Sequence, residues 1–220
     1  MTIDLDNRPA RLVISLVAAV LAAGLLLIGP GVPPANAQDC PDIEVVFARG
    51  TDDTPGLGRV GSAFVDSLRG RVGGRSVGAY AVNYPASFDF LAAANGANDA
   101  SGHIQYMVNT CPNTRLVLGG YSQGAAVIDI IAAVPFPAVG FNSPLPPNVP
   151  EHVAAVAVFG NPSAKLGAPL TISPVWGGRA TDLCNAGDPI CSDGRDWPAH
   201  SNYVNTGLAA QGAGFAAGLL

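Results

Sequence analysis

Apolar positions along the chain switch between two spacings. Ile43-Glu44-Val45-Val46-Phe47-Ala48 is β-branched and nearly all apolar, and Arg49-Gly50-Thr51 ends it. Such a run predicts a strand buried on both faces. From Leu57 to Val72, apolar side chains fall at 57, 60, 64, 65, 68 and 72, which is helical spacing. Val77 to Tyr84 predicts a second strand stopped by Pro85, and Phe90 to Val108 a second helix closed by Cys111-Pro112. Arg115 to Leu118 predicts a third strand and Ala125 to Val134 a third helix. A proline-rich loop, Pro135 to Pro150, leads to a strand at Val153 to Phe159. The remainder reads as loop up to a small-residue helix around Thr206 to Leu220. Apolar strands separated by helices predict an α/β/α sandwich around a mainly parallel sheet.

The first residues carry a different pattern. Arg8 and Arg11 precede an apolar run from Leu12 to Ile28, and Ala35-Asn36-Ala37 follows a Gly/Pro-rich stretch. This predicts a secretory signal peptide over 1–37, cleaved after Ala37, ahead of one domain over 38–220. An uncleaved anchor competes, but the run is short for a bilayer span. The composition narrows the partners. With 49% hydrophobic and 12% charged residues, intrinsic disorder is excluded. A net charge of −5, with Lys165 as the one lysine, offers no basic surface for nucleic acid or anionic lipid.

Four cysteines in an exported chain read as two disulfides with three possible pairings. Cys184–Cys191 is favoured because the two are neighbours, which leaves Cys40–Cys111. Loop-closure entropy assigns the short bridge about 2.5 kcal/mol and the long one about 4.4 kcal/mol. No CxxC pair occurs and no histidine stands at ligand spacing from a cysteine, so no metal is expected.

The chemistry gathers where the third strand ends. Gly120-Tyr121-Ser122-Gln123-Gly124 fits G-x-S-x-G between an apolar strand and a helix. The glycines permit a sharp turn that lifts Ser122 out of the sheet, and the helix N-terminus aims N–H groups at the same spot. A serine of ordinary acidity needs a general base. His103 precedes the nucleophile inside a helix and His152 opens a strand beside Glu151, whereas His200 follows the last strand in a loop. Serine, acid, histidine is the chain order of α/β-hydrolases, and His200 satisfies it. Asp129, Glu151, Asp182, Asp188, Asp193 and Asp196 lie between serine and histidine. Asp188 ranks first because a ring closed by Cys184 and Cys191 would fix its carboxylate, and Asp193 ranks second. Oxyanion donors are expected from Gln123, after the nucleophile, and Thr51, after the first strand. Asp52 and Asp53 stand next door; they either oppose an oxyanion or cap the next helix and point away.

These residues resemble the cutinases, and among them the exported cutinase-like proteins of mycobacteria. The most specific piece is Pro112-Asn113-Thr114-Arg115-Leu116-Val117-Leu118-Gly119-Gly120-Tyr121-Ser122-Gln123-Gly124, similar throughout to the family's nucleophile signature. Cys184-x3-Asp188-x-Ile190-Cys191 followed by His200 is similar to its acid and histidine signature. Phe47-Ala48-Arg49-Gly50-Thr51 looks like its oxyanion segment, with threonine where fungal members have serine. The resemblance implies an α/β-hydrolase fold with a five-stranded sheet and no large lid, and the roles nucleophile for Ser122, base for His200 and acid for Asp188. It also implies an oxyanion hole of Thr51 and Gln123 and the disulfides Cys40–Cys111 and Cys184–Cys191. The stretch Ser192, Asp193, Arg195, Asp196 is polar where the family has an apolar rim, which predicts a polar rim and weighs against cutin as substrate. The expectation is a secreted, monomeric serine esterase for short- to medium-chain esters, without metal or cofactor. Alternatives are a lipase or phospholipase on lipid or cell-envelope esters, or a catalytically idle exported binding protein.

Overall fold

The computed structural model describes residues 40–220; the signal peptide read into 1–37 lies outside them. Five strands, β1 (Ile43–Ala48), β2 (Val77–Ala81), β3 (Arg115–Tyr121), β4 (Val153–Phe159) and β5 (Ala180–Leu183), lie in the order β2-β1-β3-β4-β5. Every neighbouring pair is parallel. Parallel pairing forces crossover connections; three of the four longer helices supply three of them, and the fourth follows β5. The four are α1 (Gly58–Arg69), α2 (Ala93–Thr110), α3 (Gln123–Ala133) and α4 (Leu208–Ala217).

The sheet is covered on both sides, and the two cores differ in character. On one side α1 and α4 pack Val60, Phe64, Val65, Leu68, Ala209 and Ala213 against Phe47, Phe159 and Tyr203. Phe47, Phe64 and Phe159 form a ring cluster with centroids 5.8 to 6.3 Å apart. Each such buried phenylalanine contributes roughly 1.5–3 kcal/mol. On the other side α2 and α3 meet the sheet through alanines, Ala93, Ala97, Ala100 and Ala125, together with aliphatic side chains such as Ile104, Val127, Ile128 and Ile131.

Several boundaries differ from the sequence reading. β5 falls in a stretch read as loop, because Ala180-Thr181-Asp182-Leu183 is four residues long and half polar. A strand that short gives no period to read. β3 runs on to Tyr121, since its glycines interrupt the apolar run but not the pairing with β1 and β4. β2 stops at Ala81. The second helical stretch begins as a 3₁₀ turn, Phe90–Ala92, with Asp89 accepting the Leu91 N–H. Both favoured disulfides form, with Cα–Cα separations of 5.6 Å for Cys40–Cys111 and 5.8 Å for Cys184–Cys191. Among the described residues, no helix is long and apolar enough to cross a membrane.

The strand order also locates the chemistry. β1 connects outward to β2 on one side, while β3 lies on its other side. Ligands of open parallel sheets bind at such a reversal, outside the carboxyl ends of the strands. Thr51 follows β1 and Ser122 follows β3.

Candidate active site

Ser122 adopts φ 55° and ψ −117°, a left-handed conformation unfavourable for any residue with a side chain. The neighbouring glycines make this possible. A Cβ on Gly120 would stand 2.2 Å from the carbonyl oxygen of Gly124, and one on Gly124 would stand 1.9 Å from that of Ala48. The start of α3 therefore rests directly on the ends of β1 and β3. The Ser122 N–H donates to the Phe159 carbonyl at 2.8 Å, so β4 pins the turn from its other side.

His200 ends a one-turn helix, Trp197–His200, rather than lying in a loop. Its Nε2 is 2.9 Å from Ser122 Oγ, and its Nδ1 is 2.8 Å from Asp188 Oδ2. Asp188 sits inside the Cys184–Cys191 ring and is fully buried. A buried carboxylate must be compensated by donors, and two more are present. The Tyr203 hydroxyl donates to Oδ2 at 2.6 Å and the Ile190 N–H to Oδ1 at 2.8 Å. Burial, and then the bond to Asp188, push the Tyr203 phenol well above its ordinary range, so it stays a neutral donor. Tyr121 supports the imidazole from another side. Its ring stacks on His200 at 5.1 Å and its hydroxyl donates to the His200 carbonyl at 2.5 Å. Burial pushes this phenol up to about 12.

Thr51 and Gln123 face each other across the site, with Thr51 Oγ1 donating to Gln123 Oε1 at 3.4 Å. Gln123 opens α3, and first-turn N–H groups have no acceptor within their own helix. Its side-chain amide donates to the Ser87 carbonyl at 2.9 Å and so clamps the 84–90 segment to the site. Buried Arg49 reinforces that tie by donating to the carbonyls of Tyr84 (2.9 Å) and Asp53 (3.1 Å). Asp53 turns back to accept the Gly50 N–H at 3.1 Å. Neither Asp52 nor Asp53 caps α1, whose N-cap is Leu57.

A cavity of about 520 Å³ opens over Ser122. Besides Thr51, Ser122, Gln123 and His200, its walls include Phe88, Phe90, Ala126, Pro162, Ile190 and Trp197. The rim is thus apolar, against the expectation of a polar one. Phe88, Phe90 and Trp197 are exposed there. The Ser192 hydroxyl bonds back to the Asp188 carbonyl at 2.6 Å, and Asp193, Arg195 and Asp196 face solvent. Ile190 and Trp197, on either side of that polar stretch, are left to line the cavity.

The other candidates stand elsewhere. His103, on α2, pairs through Nε2 with Glu44 and stacks on Tyr80 at 3.6 Å. His152 ends a short helix ahead of β4. Asp129 and Asp182 share the buried Asn161, whose amide donates to both at 3.2 and 2.8 Å. Burial pushes Asp129 up to about 6 and Asp182 upward as well. Tyr203, Tyr121 and the clamp made by the Gln123 side chain were not singled out from sequence. Only the spacing of Tyr203, three residues past His200, hints at a role.

Fold, strained serine turn and adjoining imidazole define an α/β-hydrolase. Comparison with known proteins then narrows the class. The cutinase family matches residues 39–220, and the chain belongs to it. It is 58% identical over 209 residues to the phospholipase Culp4 of Mycobacterium tuberculosis, covering 94% of this chain and 92% of that protein. It is 50% identical to the carboxylesterase Culp1 of the same organism, covering 96% and 97%. Among solved structures, a Trichoderma reesei cutinase bound to a phosphonate inhibitor superposes with TM-score 0.65 at 34% identity, covering 82% of this chain and 77% of that one. An acetyl xylan esterase superposes with TM-score 0.69 at 25% identity, covering 82% and 99%.

Proposed function

We propose that this carboxylic ester hydrolase is a secreted serine esterase that works through an acyl-enzyme. The observation that carries the reading is the hydrogen-bonded series Ser122 Oγ, His200 Nε2, His200 Nδ1, Asp188 Oδ2, with separations of 2.9 and 2.8 Å. His200 accepts the serine proton as Ser122 Oγ bonds to the ester carbonyl carbon, and Asp188 holds the imidazole tautomer that can do so. The tetrahedral oxyanion takes N–H groups of Gln123 and Thr51, each worth about 2.7–4 kcal/mol in the transition state. His200 then passes its proton to the departing alcohol, and a water activated by the same imidazole releases the acid. Export is supported by the leader pattern of 1–37 and by the two disulfides.

The cavity volume and its open rim support esters of short to medium chain. A lipase or phospholipase reading is favoured by the exposed Phe88, Phe90 and Trp197, and by the 58% identity to a phospholipase. The test is hydrolysis of p-nitrophenyl esters from acetyl to palmitoyl by the natural protein and by Ser122→Ala, with organophosphonate labelling in parallel. The expected result is one phosphonate per chain and a variant slower by at least about 10⁴-fold. A folded natural protein that neither turns over nor labels would establish an idle, binding protein instead.

A further inference from the structure

A second apolar groove of about 210 Å³ adjoins the catalytic cavity, and Phe90 belongs to both. Its walls are Phe90 and Leu91 on one side and Val139 and Phe141 on the other, over Ile130 and Val134 of α3. None of these side chains can hydrogen-bond. The floor leads on from the nucleophile: Ser122 and Ala126 line the catalytic cavity, while Ile130, one turn further along α3, and Val134, at its C-cap, line the groove. From Ala126 to Val134 that floor is roughly 12 Å long.

The far wall is built with strain. Ala138 and Phe141 pair as a tight hairpin, each N–H bonded to the other's carbonyl at 2.9 and 2.8 Å. Its central residues Val139 and Gly140 have φ 42° and 83°. Asn-Gly is the favoured pair in such a turn, and a β-branched residue there is an outlier. The hairpin is nevertheless fixed. Asn98 of α2 donates to the Gly140 carbonyl and accepts the Asn142 N–H, both at 2.7 Å, and Ser101 bonds the Ser143 carbonyl. The strain presents Val139 to solvent, 85% exposed, opposite Leu91 at 75% and Phe90 at 65%.

We propose that this groove holds the second fatty chain of a diacyl glycerolipid while the first chain is cleaved over Ser122. The inference rests on the reading of Ser122 as the nucleophile and adds the substrate class. Two compartments divided by the Phe90 ridge suit two chains from one backbone better than one long chain. The catalytic cavity, at about 520 Å³, is large enough on its own for a single acyl group.

The test compares dihexanoyl phosphatidylcholine, kept below its micellar concentration, with p-nitrophenyl hexanoate, which carries the same acyl group and no second chain. Val139→Asn restores the residue the turn prefers, so unfolding cannot account for its effect, and the melting temperature should not fall. In Val139→Asn/Leu91→Ser, the ratio of kcat/KM for the lipid to that for the p-nitrophenyl ester should drop about tenfold, as apolar contact is withdrawn from one chain. An unchanged ratio overturns the proposal. So does a loss seen only on vesicles, which would make the patch a lipid-surface contact. An equal loss on p-nitrophenyl palmitate, which would make the groove an extension for one long chain, also overturns it. Ser122→Ala reads the catalytic reading separately: activity retained there overturns that reading and the groove with it. Wild-type activity on the p-nitrophenyl ester but none on the lipid overturns the groove alone.

Discussion

Tyr203→Phe removes one oxygen from the interior and tests how the acid is held. The Tyr203 hydroxyl reaches Asp188 Oδ2 at 2.6 Å, the same oxygen that faces His200 Nδ1 at 2.8 Å. It also accepts the Asn185 N–H at 3.0 Å. Both Tyr203 and Asp188 are fully buried, so no water replaces what is lost. A hydrogen bond to a charged group contributes about 1.5–3 kcal/mol, and an orphaned buried N–H costs about 1–3 kcal/mol more. Allowing for partial relaxation, the variant should lose roughly 3 kcal/mol of stability, a fall of about 10 °C in Tm for a domain of this size. Asp188 keeps the Ile190 N–H and His200, so the relay loosens without breaking. A relaxation worth about 1.4 kcal/mol in the transition state lowers kcat about tenfold. Tyr203 does not line the catalytic cavity, so KM should hold. Calorimetry and steady-state kinetics on a soluble ester, well below Tm, measure both effects. A lower Tm with unchanged kcat would show that Tyr203 serves the core alone and that the reasoning about Asp188 is mistaken.

Two further outcomes are expected. Burial, with Asp182 adding to it, raises Asp129 to about 6, so between pH 4 and 6 the folded chain binds a proton that the unfolded chain has released. Stability should therefore fall as pH rises through that window and stay lower above it. Asp129→Asn, whose amide oxygen can still accept from Asn161, should flatten the dependence and stabilise the protein at pH 7.5 by up to about 3 kcal/mol. Urea melts at pH 4.5 and 7.5 decide it, and a wild type that gains stability over Asp129→Asn on going to pH 7.5 refutes it. Replacing Cys184 and Cys191 together by serine should cost about 2.5 kcal/mol by loop-closure entropy. Activity measured where the variant is still folded should fall further than stability implies, because the ring fixes Asp188. Full specific activity under those conditions would show that Tyr203 and Ile190 hold the carboxylate unaided.

What the sequence disclosed, and what it hid, follows from how local each constraint is. The serine turn was legible because its geometry requires glycine at two fixed offsets, with carbonyls at 1.9 and 2.2 Å from any added Cβ. The position of Asp188 beside His200 was legible because a ring closed over a few residues confines whichever carboxylate it contains. β5 was not, since its four residues include Asp182, which sits there to meet Asn161. The rim was misjudged because loop composition says nothing about direction: Ser192 folds back on Asp188, and its apolar neighbours take the cavity. Tyr203 carries no motif, since its partner lies across a tertiary contact that only the fold creates.

That division has a functional consequence. The groups proposed to react are anchored to the sheet itself. Ser122 is pinned by the carbonyl of Phe159 at the end of β4, and His200 by the hydroxyl of Tyr121 at the end of β3. Asp188 is held by Tyr203, whose ring packs edge-on against Phe159 at 6.1 Å. Strain at the serine persists because these packed elements over-determine it. The walls of the cavity and the groove are loops instead: Phe88 and Phe90 ahead of α2, Ile190 and Trp197 around the polar turn, Val139 on its hairpin. Substitutions of Phe88, Phe90, Val139 or Trp197 can alter which ester is accepted at little cost to the fold, because these side chains face solvent. Changes beneath them alter both together.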